Sequence, residues 1–256
     1  MGENMELNFR SAIVVFVAAL IIGAGLVAGG FFIGNGVYKS RMADRFVTVK
    51  GVSEKYVSAD LAVWNIKIAV TGDILADVQQ TIEGQKAELL DFLKNNGVKA
   101  EEIQNEQLSV TDLLAQQWRA EKVEGNRFIV NYSLTVRTND VPNIKATSGK
   151  TGELIKKGLV LADNNGPSYI FTKLNDIKPE MIAEATKNAR KAAEQFAADS
   201  GSNVGEIRRA YQGVFDIQAA NQTSTDSGDG MPSDQQSSQI NKKVRVVSTI
   251  DYSLAN

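Results

Sequence analysis

Hydrophobic positions along the chain fall into two regimes. From Ala12 to Ile33 the stretch AIVVFVAALIIGAGLVAGGFFI carries no charge, and as a helix it would be about 33 Å long, matching a bilayer's hydrocarbon core. Beyond it the pattern becomes short-ranged. Phe46 to Val52 has the valine and aromatic content of a strand, and Ala62, Trp64, Ile66, Ile68 and Val70 then alternate on one face of a second. Ile74, Val78, Ile82, Leu89 and Leu93 recur at helical intervals, with Asp73 placed to cap the start and Gly97 to end the helix.

Gln107 to Trp118 is strand-like, and a polar turn at Glu124, Gly125 and Asn126 leads to the clearest alternation in the chain. Phe128, Val130, Tyr132, Leu134 and Val136 face one way, while Asn131, Ser133, Thr135 and Arg137 face the other, as in a half-buried hairpin strand. A helix is predicted from Val141 to Lys157, capped by Asp140 and stopped by Gly158, followed by a strand from Tyr169 to Leu174. The next helix, Pro179 to Ser200, opens on proline and sets Ile182, Ala185, Ala189, Ala192 and Phe196 on one stripe. Strands at Arg208–Ile217 and Lys243–Leu254 flank AANQTSTDSGDGMPSDQQSSQ, residues 219–239, whose polar composition reads as a mobile loop. Two helix ends echo each other: NNGVKAEEI and DSGSNVGEI share Gly-x4-Glu-Ile, relating Gly97 and Ile103 to Gly201 and Ile207. The predicted class is α+β, antiparallel sheets with packed helices in the order ββαββαβαββ, preceded by one N-terminal transmembrane helix.

The apolar run sets the domain organisation: a short tail at 1–11, an anchor at 12–34, a juxtamembrane linker at 35–45 and one folded domain at 46–256. A cleavable signal has a cationic start and an apolar core of about 7 to 15 residues. Here Glu3 and Glu6 accompany Arg10 and the run is longer, so a retained anchor is expected. Gly29 and Gly30 are small residues of the kind a signal peptidase needs, which makes cleavage the competing reading. Gly25 and Gly29, and likewise Gly30 and Gly34, are four apart, a spacing that lets membrane helices approach closely. These four glycines are the candidate helix-packing residues. Lys39, Arg41 and Arg45 follow the span while Arg10 precedes it, so the positive-inside rule taken alone puts the domain in the cytoplasm.

Composition narrows the chemistry. The chain is 43% hydrophobic and 23% charged with a net charge of -2, which suits an ordinary globular domain and offers no basic field for nucleic acid. It contains no histidine and no cysteine, which removes the Ser-His-Asp triad, thiolate nucleophiles and most zinc sites. No catalytic, cofactor or metal residues are therefore predicted, and an enzyme is not expected. The acids Asp60, Asp73, Glu101 and Glu102 are what a carboxylate hydrolase would have to use. TSGKTGE matches the end of a phosphate-binding loop at Gly149, Lys150 and Thr151, but Ile144 stands where the loop's first glycine belongs and Pro142 sits inside it.

Four segments carry a resemblance to a known family: VTVKGVSEKYVSADLAVWNIKIAVTG, FLKNNGVKAEEIQNEQLSV, IAEATKNARKAAEQFAADSGSNVGEI and KKVRVVSTIDYSL. Over about residues 46 to 254 the chain resembles the SIMPL domain proteins (DUF541), which include bacterial periplasmic 26–28 kDa immunogenic proteins. The long polar loop at 219–239 departs from the shorter, proline-containing connection expected there. The resemblance implies an α+β fold, a bacterial envelope protein in the inner membrane with its domain outside the cytoplasm, large homo-oligomers and an association with stress tolerance. It carries no catalytic residues. The expected function is a membrane-anchored extracytoplasmic protein that self-assembles into a large homo-oligomer, a ring being one form, with an envelope-structural or stress-related role; its partners are itself and, through residues 12–34, the lipid bilayer. The competing readings are a carboxylate hydrolase and a partner-binding module.

Overall fold

The computed structural model describes residues 3–43, 45–115, 126–162, 165–221 and 237–255; within the first helix, side chains are described for 14–37. The expected end of a strand at Trp118, the turn residues Glu124 and Gly125, and most of the 219–239 loop lie outside the described residues. The fold is α+β, built from antiparallel sheets with packed helices, and it follows an N-terminal apolar helix.

That helix, α1 (Glu3–Ala43), covers the apolar run and continues through the stretches expected as tail and linker, since residues flanking a formed helix extend it without a new nucleation step. Then come β1 (Phe46–Ser58), β2 (Leu61–Gly72), α2 (Leu75–Asn95), a 3-10 turn at Ala100–Glu102, β3 (Ile103–Asp112) and β4 (Phe128–Thr138). After them the order is α3 (Val141–Ser148), α4 (Gly152–Lys156), β5 (Ser168–Ile170), α5 (Leu174–Asp199), β6 (Asn203–Gln212), β7 (Asp216–Ala219) and β8 (Asn241–Ala255). The chain divides into two compact units: Met1–Val52 with Glu184–Gly213 and Val247–Asn256, and Ser53–Ala183 with Val214–Val246.

The second unit holds a sheet in the order β3-β4-β2-β5. Its register sets Trp64 against Val136, Ile66 against Leu134, Ile68 against Tyr132 and Val70 against Val130. The alternating sets read from the sequence thus lie side by side on one face, where Val78, Ile82, Leu89, Phe92 and Leu93 of α2 cover them. On the other face Thr135 donates to Asn65 at 2.8 Å, which is the solvated side of a half-buried sheet. β1, β8 and β6 form the other sheet in that order, with β7 also pairing β8. In the first unit, Ala189 and Ala193 of α5 pack on Val49, Ile250 and Tyr252.

Several predicted boundaries shift, each for a local reason. Asp73 is not the cap of α2: Ile74 takes that position without a side-chain bond, and the Asp73 carboxylate accepts the Arg127 N–H at 3.0 Å. The helix expected at Val141–Lys157 is two pieces, because the backbone bonds around Gly149–Thr151 tighten to i→i+3, including Lys150 N–H to Thr147 at 3.0 Å. α5 begins at Leu174, so Pro179 lies inside it; Leu174 and Ile177 extend the apolar stripe upstream of the proline. That stripe is Met181, Ala185, Ala189, Ala193 and Ala197, and Phe196 is instead 60% exposed. The strand expected at Arg208–Ile217 is divided into β6 and β7 at residues 213–215.

Candidate functional site

The first candidate is α1, chosen because its side chains have nowhere to go in the folded chain. From Val14 to Val37 the helix is apolar over 24 residues, and its most apolar stretch is entirely unburied. Large side chains on every side of it are open, among them Phe16, Ile22, Val27 and Phe32. A helix that is hydrophobic all round needs a hydrophobic surrounding, and this one is long enough to cross a membrane.

Its glycines lie on two faces. At 3.6 residues per turn, Gly29 stands about 40° around the axis from Gly25, whereas Gly30 and Gly34 stand about 140° and 180° from it. A side-chain carbon added at Gly25, Gly29, Gly30 or Gly34 would meet nothing within 4 Å. The fold itself therefore makes no demand for glycine at these positions. The two glycine pairs lie on nearly opposite sides of the helix.

Three of the four acids singled out in the sequence serve a local structural role. Asp60, between β1 and β2, accepts both the N–H and the O–H of Thr172 at 2.6 Å. Burial works to raise its pKa, but the Thr172 bonds outweigh that and hold it below the usual carboxylate value. Asp73 is taken by Arg127, as described. Glu102 accepts from Thr138 at 2.5 Å and from the Lys99 N–H at 2.9 Å, closing the 3-10 turn, while Glu101 on that turn is exposed. Among the described residues no three acids gather as a metal would require. The phosphate-loop match is likewise occupied by structure: Gly149 has a helical φ of -66°, and the Lys150 ammonium donates to Asn96 at 2.8 Å.

Sequence reasoning missed two open cavities. One of about 250 Å³ lies where β2 turns into α2, lined by Thr71, Asp73, Asp77 and Thr81 among others. The other, of about 290 Å³, is lined by Phe46, Arg208, Arg209 and Asp251. The available signal for the second was the paired arginine in β6 and an aromatic residue directly after the membrane-length helix. Neither means anything until the sheet order β1-β8-β6 brings Phe46, Asp251 and the arginines together.

Residues 47–252 match a family model described as SIMPL, protein of unknown function (DUF541). A search of curated proteins found no match.

Proposed function

The chain belongs to the SIMPL family, and from that membership and the exposed apolar helix we propose a single-pass protein of the bacterial inner membrane whose α+β domain lies outside the cytoplasm and self-assembles. Its role is structural or stress-related within the envelope. The observation that carries this reading is the span Val14–Val37, whose unburied apolar surface a bilayer would cover. Two glycine faces on one helix favour an assembly in which each copy meets two neighbours, as a ring requires, over a closed pair.

The test is the mass of the complete chain in mild detergent beside a chain starting at Asp44, by light scattering and particle imaging. A single large closed assembly of the complete chain is expected. If only the complete chain assembles, Gly25→Leu with Gly29→Leu should shrink the particle; if both assemble, the folded domain supplies the contacts. A monomer in both cases overturns self-assembly.

A further inference from the structure

The cavity at Phe46, Arg208, Arg209 and Asp251 is tied by covalent geometry to the membrane end of α1. Phe46 opens β1 three residues after Ala43, the last residue of the helix, so their Cα atoms are at most about 11 Å apart. The six residues that follow Val37, up to Ala43, add about 9 Å of helix beyond the apolar span. The headgroup layer is about 5–7 Å thick on each side of the hydrocarbon, so the helix ends within a few ångströms of its outer edge. Tyr38, at the end of the span, is an interface-type residue, and Lys39, Arg41 and Arg45 follow it.

Within the cavity the Arg208 guanidinium lies 5.3 Å from the centre of the Phe46 ring. Arg209 stands opposite Asp251 in the β6–β8 register, and Asp251 accepts the Thr48 hydroxyl at 2.7 Å. Two planar guanidinium groups in one open cleft suit the tetrahedral oxygens of a phosphate, which they can hold in a forked geometry. Asp251 opposes any anion there. We infer that this cleft binds the phosphate headgroup of an anionic phospholipid in the bilayer that α1 enters.

The inference rests on the reading of α1 as a retained anchor, and that anchor supplies the driving force. A tethered site meets its ligand at an effective concentration set by the tether, so a weak intrinsic affinity suffices for occupancy. Nearby basic residues add to the attraction, and salt screens it. Headgroup binding would hold the base of the domain against the membrane surface.

The experiment places the full chain in nanodiscs of phosphatidylcholine alone or mixed with phosphatidylglycerol, and measures amide hydrogen exchange over residues 205–212. Anionic discs should slow exchange, with each of Arg208→Gln and Arg209→Gln reversing the effect by about fivefold. Asp251→Asn, which keeps an oxygen for Thr48, should slow exchange further, and raised salt should speed it. Equal exchange in the two lipids, or slowing that survives both arginine substitutions, overturns the inference. So does full slowing in phosphatidylcholine discs on adding 1 mM inorganic phosphate, on the order of the tether's effective concentration, since the ligand would then be a soluble anion. Co-elution of the chain with the discs is scored separately. A chain that stays outside them overturns the anchor and this inference together, whereas an inserted chain without lipid dependence overturns this inference alone.

Discussion

Gly51 shows how much one side chain can decide. A β-carbon there would fall on the Ala185 carbonyl oxygen and lie 2.5 Å from the Ala189 nitrogen, so α5 and β1 approach through hydrogen alone. Gly51→Ala must push helix backbone aside and should destabilise by about 3 kcal/mol or more, lowering the melting temperature by roughly 6–12 °C. A calorimetric scan showing no loss would contradict the packing. Tyr132 and Glu106 make a second residue-scale prediction. Tyr132 donates to Glu106 at 2.7 Å, and Lys86 pairs with the same carboxylate at 3.1 Å. The Tyr132 bond, then the Lys86 bond, hold the Glu106 pKa below 4.5 against a smaller opposing effect of burial. Burial, then the Glu106 bond, raise that of Tyr132 above 10.0. A depressed acid stabilises the fold above its unfolded pKa, and that contribution disappears as pH falls through the folded value. The melting-temperature gap between wild type and Glu106→Gln should therefore be largest near neutrality and shrink below pH 4.5. The raised tyrosine works in the other direction, its contribution present below pH 10.0 and lost as pH rises through the folded value.

At the scale of elements, the echo between NNGVKAEEI and DSGSNVGEI coincides with a repeated wiring. In one case a strand, a helix, an edge strand and a central strand run β2, α2, β3, β4, with β4 between β3 and β2. In the other they run β1, α5, β6, β8, with β8 between β6 and β1. Both helices end the same way. Gly97 has φ +84° and Gly201 φ +66°, with Val98 N–H reaching Leu93 at 3.0 Å and Ser202 N–H reaching Ala197 at 2.8 Å, the six-to-one bond of a Schellman motif. Nothing lies within 4 Å of a side chain added at Gly201, so its cost is conformational. Gly201→Ala should lose about 1 kcal/mol, and Gly201→Asn less, because asparagine tolerates the left-handed region. Chemical denaturation distinguishes them, and an alanine variant as stable as wild type would refute the motif's importance. Helix ends were legible because glycine is chemically distinct. Helix starts were legible at Asp140, whose carboxylate caps α3 by accepting the Asn143 N–H at 3.1 Å, but not at Asp73, which beside an apolar run looks like a cap whether or not the Arg127 N–H claims its carboxylate.

At the scale of the molecule, an unburied apolar helix opens the first of two units, each with its own hydrophobic cluster. Lys39, Arg41 and Arg45 bias the domain toward the cytoplasm by the positive-inside rule, while the proposed envelope role requires the opposite side. A large trailing domain weakens that rule, since long segments translocate largely regardless of charge. Alkaline phosphatase fused after Asn256 folds to an active enzyme only outside the cytoplasm, so activity is expected with the complete chain and should vanish when residues before Asp44 are removed. An inactive fusion to the complete chain would put the domain inside and overturn that part of the proposal.

By itself the sequence determined whatever follows from local periodicity and from absent residue types. The membrane-length helix, the inward faces of β2 and β4 and the glycine ends of α2 and α5 each depend on one continuous stretch of chain, and the lack of imidazole and thiol side chains is a property of composition alone. Tertiary structure decided what depends on residues far apart in sequence. It divided the Arg208–Ile217 stretch just after Gly213, whose N–H reaches the Val247 carbonyl at 2.8 Å, turned Phe196 outward while Ala193 and Ala197 were buried, engaged Asp60 with Thr172, and assembled Phe46, Arg208, Arg209 and Asp251 into one cleft. Those pairings are selected by burial and hydrogen-bond satisfaction across the whole fold, and no window along the chain contains both partners.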